Sequence, residues 1–147
     1  MKRNIDEVKK EVEGLRDGTG KPIDELIKPL VIGLRMWGFQ TQNSCQGHFK
    51  CLLGYLRKIW YRIRRVYLSW ESYECLPWAQ IVIKDPAEAI RLKKILAEWQ
   101  GNWILVDLHT EDNIWLLRPK GRWWELRKKQ REALNLGLFL QQLPTDF

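Results

Sequence analysis

The sequence predicts an α+β fold, a single two-layer domain in which a mostly antiparallel sheet of about four strands is packed with helices. Three observations carry that prediction. At 147 residues, the chain has the length of one domain, spanning 1–147, and leaves no room for a second. Hydrophobic residues make up 45% of it and include nine tryptophans, each able to bury on the order of 200 Å², so a substantial core is within reach. Apolar residues recur at helical spacing in some stretches and alternate in others, in the order helix, strand, strand, helix, hairpin, helix, with no internal repeat.

Residues 1–20 read as an N-terminal helix and loop. Asn4 is placed to cap the helix, Glu7 follows at capping-box spacing, and Ile5, Val8, Val12 and Leu15 form a narrow apolar stripe. The glycines and proline of 17–22 then mark a loop. A second helix begins after Asp24, a candidate cap, and presents Leu26, Ile27, Leu30, Val31, Leu34 and Trp37 on a wide face before stopping at Gly38. Pro29 either kinks this helix or marks its first turn. Residues 39–48 read as a short strand running into a tight turn.

Between 52 and 70, Leu56, Ile59, Ile63, Val66, Tyr67 and Trp70 repeat every three or four residues, a helical pattern, although the β-branched and aromatic content leaves a long hairpin open. Residues 77–84 read as a buried strand entered by a proline. Asp85-Pro86 then opens a helix that runs to about Gln100, and Ala89, Ile90, Leu92, Lys93, Ile95, Leu96 and Trp99 include its apolar face. Residues 102–109 and 113–118 form an antiparallel hairpin around a short polar turn. Residues 118–147 hold a basic closing helix with Trp123, Trp124, Leu126, Leu134, Leu136, Leu138, Phe139 and Leu140, fraying before Pro144.

Composition narrows the function classes. The chain carries 25 Lys and Arg against 18 Asp and Glu, a formal charge of +7, which with its hydrophobic content excludes an acidic disordered solubiliser. No window approaches the roughly 18 to 20 apolar residues of a membrane helix, so no membrane insertion is expected. The start, Met1-Lys2-Arg3-Asn4-Ile5-Asp6-Glu7, turns acidic where a signal peptide turns apolar, and a cytoplasmic location is the expectation. Three cysteines cannot all pair within one chain, which argues against a disulfide framework.

The most unusual stretch is Gly38-Phe39-Gln40-Thr41-Gln42-Asn43-Ser44-Cys45-Gln46-Gly47-His48. Preceded by an acidic-start helix and followed by Pro77-Trp78, this Gly-Phe-x-Thr-x-x-Ser-Cys-x-Gly-His pattern resembles a family of small uncharacterised microbial proteins over roughly residues 22–84. That resemblance implies no particular activity. The Thr-x-x-Ser-Cys-x-Gly core is also similar to the signature of the wybutosine-synthesis methyltransferases that act on tRNA, in which an arginine follows the glycine where this chain has His48.

The motif supports three readings. Cys45, His48, Cys51 and Cys75 supply a Cys₃His set of the kind that holds structural zinc. Alternatively, Cys45 and His48 are a catalytic pair, with Thr41 or Ser44 donating hydrogen bonds and Gly47 allowing close approach of a substrate. His109, beside Asp107, either faces that site or closes a turn. In the third reading the motif is structural: Cys45 is a small buried residue, Gly47 supplies a positive φ, and Thr41 and His48 satisfy backbone groups in a turn.

The positive charge is concentrated. Residues 50–75 hold six cations against two acids, and Arg57, Lys58, Arg62, Arg64 and Arg65 are interleaved with Trp60 and Tyr61. Residues 118–132 hold seven cations against two acids, with Arg122, Arg127 and Lys128 near Trp123 and Trp124. Arginines pair with phosphates and aromatic rings accept unstacked bases, so this mixture points to RNA or single-stranded DNA. A solvated charged face over a core stripe accounts for the same residues, and a membrane-surface helix is a third reading. No helix-turn-helix, zinc-finger or glycine-rich phosphate-loop pattern is present. The expectation is a nucleic-acid-binding protein. Its rivals are a small enzyme using Cys45 and His48 on a nucleotide or tRNA, and a zinc-stabilised interaction protein.

Overall fold

The structure, a computed structural model, describes residues 2–16, 20–47, 76–99 and 101–147. Asn4 opens the first helix, α1 (Ile5–Gly14), as its position predicts: its side-chain oxygen accepts the N–H of Asp6 at 2.8 Å and of Glu7 at 3.4 Å. Val8 and Val12 are the residues α1 buries, so its stripe is indeed narrow. The second helix, α2 (Lys28–Met36), is preceded by a turn in which the Asp24 carbonyl accepts the N–H groups of Ile27 and Lys28. Pro29 lies in its first turn, where a missing N–H breaks no helical bond. Leu26 stands before the helix and is exposed, not part of its apolar face. Gly38, at φ +83°, turns the chain out of α2 into the first strand, β1 (Gln40–Cys45).

The next strand is β2 (Trp78–Val82), and Asp85 then accepts the Ala87 N–H at 2.9 Å to start α3 (Pro86–Trp99). The predicted hairpin follows as β3 (Trp103–Asp107) and β4 (Ile114–Pro119), and a short 3₁₀ turn over Trp123–Glu125 leads into α4 (Leu126–Gln142). The helix or hairpin expected at 52–70 lies outside the described residues. Among the described residues the four strands form one antiparallel sheet in the order β1-β2-β4-β3. Register sets Thr41 beside Ile81, Ile81 beside Trp115, and Trp115 beside Asp107.

Ala79, Ile81, Leu117, Leu105 and Trp103 share one sheet face with Thr41, and they pack with α2, α3 and α4 into the main core. A second, smaller cluster of Val8, Val12, Val31, Ile32 and Met36 joins α1 to the other side of α2. The closest helix contact is α2 against α4. A Cβ on Gly137 would lie 2.4 Å from the Leu30 nitrogen, and one on Gly33 would lie 2.7 Å from the Leu140 Cβ. Across this seam Trp37 Nε1 donates to the Leu140 carbonyl at 2.8 Å and Gln141 Nε2 to that of Pro29 at 3.0 Å. Lys2 caps the end of α4 by donating to the Gln141 and Leu143 carbonyls. Ile90, which periodicity places on the apolar face of α3, is exposed instead, as are Leu138 and Trp124. No helix among the described residues is long and apolar enough to cross a membrane.

Candidate functional site

The motif occupies β1 and the turn after it. Register slips between Thr41 and Ser44, so three steps along β1 match two along β2, and this bulge places Asn43 where its amide donates to Gln80 Oε1 at 3.1 Å. Gly47, at φ +82°, folds back so that its N–H donates to Cys45 Sγ at 3.4 Å. The turn is clasped from two sides. Gln46 donates its N–H to Asp24 Oδ2 at 3.3 Å and accepts the Leu26 N–H on its side chain at 3.0 Å. From the other side, Gln130 of α4 donates to the Gln46 and Gly47 carbonyls at 3.0 and 3.2 Å.

Thr41 does not serve a turn. It is buried in the strand and holds Arg35, whose Nε donates to its hydroxyl at 2.7 Å and whose terminal nitrogen donates to its carbonyl at 2.8 Å. The remaining Arg35 nitrogen pairs with Glu11, which also takes Arg3 at 2.7 Å. The Arg3 hydrogen bond, then the Arg35 charge, hold the Glu11 carboxyl below its ordinary value, outweighing the partial burial that pushes it up. Beside this network a polar cleft of about 260 Å³ is lined by Arg35, Asp24, Thr41, Asn43 and Ser44. Arg35 had one signal in the sequence: it is a cation inside an apolar helix, and such a charge needs partners. Gln130 had none.

His48, Cys51 and Cys75 lie outside the described residues, so of the predicted zinc set only Cys45 is described, and of the predicted catalytic pair likewise only Cys45. Arg57, Lys58, Trp60, Tyr61, Arg62, Arg64 and Arg65 also lie outside them. His109 closes the β3–β4 turn and does not face the motif. Cys45 pairs with Trp78 at one end of the sheet, whereas His109 follows Leu108, whose N–H bonds Ile114 at the other end. The two are separated by roughly 15 Å along the strands alone.

The second basic segment is described. The Arg122 guanidinium stacks 5.0 Å from the ring centroid of Trp124, which is 53% exposed, and Arg127, Lys128 and Arg131 are exposed on the first turns of α4. Both acids of the segment are engaged locally: Glu125 accepts the Arg122 N–H at 2.8 Å, and Glu132 accepts Trp103 Nε1 at 3.2 Å and Lys129 Nζ at 3.0 Å. Lys129 is buried in that pair, which removes it from the basic surface. Arg127, Lys128 and Arg131 have no carboxylate partner among the described residues.

Arg127, one turn before Gln130, neighbours it on the side of α4 that clasps the motif turn, and Arg131 stands beside Arg127 at i,i+4 spacing. No protein-family model, curated protein or solved structure matches this chain. The start of α4 lays a basic, aromatic corner against a polar turn at one end of the antiparallel sheet.

Proposed function

We propose that the protein binds nucleic acid, RNA or single-stranded DNA, through the corner built by the start of α4 and the motif turn. The observation that carries the reading is the Gln130 clasp, because it joins Arg127 and Arg131 to the turn after β1 in one surface. Along that surface the cations outnumber the acids, whose charge is spent on Lys129, Trp103 and the Arg122 backbone. Exposed guanidinium and ammonium groups take the phosphates, and the half-exposed Trp124 adds an aromatic side chain of the kind that stacks on bases.

Titrating a labelled single-stranded oligonucleotide at several salt concentrations tests the reading. Affinity should fall with salt at a log–log slope of about −0.7 per phosphate contacted, and the joint variant Arg127→Ala, Lys128→Ala, Arg131→Ala should flatten that slope by about 2. Trp124→Ala should weaken binding by roughly tenfold with the slope unchanged. Binding indifferent to salt and unaffected by the joint variant would overturn it.

A further inference from the structure

At the end of the sheet away from the motif turn, a groove of about 560 Å³ opens between the start of α3 and the β3–β4 turn. Its size falls within the roughly 300–1,000 Å³ of small-molecule sites. The half-buried Trp115 forms part of its wall, with Lys93 Nζ 5.5 Å from the ring centroid. Lys84, at the exit of β2, and His109, from the turn, bring further nitrogen groups to the same groove.

The turn that shapes it is held in a costly conformation. His109 and Asn113, neither of them glycine, sit at φ 51° and 56°. Asp107 supports that arrangement: its Oδ1 accepts the His109 N–H at 2.8 Å and its Oδ2 lies 3.4 Å from His109 Nδ1. Thr110 adds to it, accepting the Ile114 N–H on its hydroxyl and the Asn113 N–H on its carbonyl. Asp107 is the one carboxylate among the described residues that line the groove, and it is spent on the turn. Lys84 and Lys93 have no carboxylate partner among the described residues.

We infer that this groove binds a nucleotide, with the base against the Trp115 indole, the phosphate toward Lys84 and Lys93, and Asn113 available to the base edge. An indole and two ammonium groups without a carboxylate partner among the described residues, one of them resting on the indole, are complementary to a planar base carrying a phosphate, which neither an apolar ligand nor a bare anion would use in full. The inference goes beyond the nucleic-acid reading and does not rest on it, since the two sites lie at opposite ends of the sheet.

Calorimetric titration of the full chain with AMP, adenosine and ribose 5-phosphate tests it. AMP should bind more tightly than about 1 mM, and each half-ligand at least about tenfold more weakly than AMP. Trp115→Leu should weaken AMP at least about tenfold. Because Trp115 also packs on the core, the exposed pair Lys84→Gln, Lys93→Gln supplies a second variant, which should weaken AMP tenfold and flatten its salt dependence. The Arg127, Lys128, Arg131 joint variant should leave AMP binding unchanged, so failure of either reading is seen separately. Displacement of AMP by a single-stranded oligonucleotide would identify the ligand as a nucleotide within a strand, and resistance to displacement would identify a free nucleotide; both support the site. AMP binding weaker than about 1 mM, or equal binding by the lysine variant, would overturn the inference.

Discussion

Arg35 anchors the motif strand. Its guanidinium spans Thr41 and Glu11, so each partner's loss leaves a largely buried cation underserved. Thr41→Val should cost about 2 kcal/mol, the worth of a hydrogen bond to a charged group, read as a lower urea midpoint at unchanged slope. Glu11 adds a pH dependence of defined sign. Its folded-state pKa lies below the ordinary 4.5, so its stabilisation is present above that value and is lost as pH falls through the folded one. Glu11→Gln should therefore be less stable than the parent near neutrality and show a shallower decline below about pH 4.5 in acid titration. Parallel profiles for parent and variant would mean that the pairing contributes nothing to folding.

Among the elements, α2 and α4 approach most closely, and glycine permits it. Gly137→Ala should destabilise by about 1–3 kcal/mol, because the added methyl meets the Pro29–Leu30 backbone and outweighs the roughly 1 kcal/mol that alanine gains in a helix. Thermal unfolding measures this, and a raised midpoint would mean that the helices separate without cost. The starts of α1 and α3 and the hairpin were legible because they depend on near neighbours: Asn4 and Asp85 cap what they precede, and Gly38 ends what it follows, whereas α2 starts at Lys28, beyond the expected Asp24 cap. The β1 bulge was not legible. It depends on which residue of β2 faces Thr41 and Ser44, and that pairing joins residues nearly forty positions apart. Exposed Leu26 and Ile90 show the same limit from the other side, since periodicity marks an apolar position without saying whether a neighbour covers it.

For the molecule as a whole, the two clusters differ in size and in what they support. The larger unites the sheet with α2, α3 and α4, whereas α1 is held through five buried side chains and the Arg3–Glu11–Arg35 network. Val12→Ala should therefore speed amide hydrogen exchange in α1 while amides of β2 and β4 keep their protection. Uniform acceleration across the chain would show instead that both clusters open as one unit. The net charge of +7 is likewise uneven, because Lys129 and the two acids of residues 118–132 are consumed in local contacts and leave Arg127, Lys128 and Arg131 exposed at the start of α4.

The amino-acid sequence by itself determined the fold class, the starts of α1 and α3, the strand at the motif and the concentration of positive charge, all of which follow from local propensity, capping and patterning. The tertiary structure alone decided that Thr41 holds Arg35, that Gln130 joins the basic helix to the motif turn, and that His109 stands far from Cys45. Those outcomes depend on strand register and helix packing, which bring distant residues together through burial and pairing that no single segment encodes.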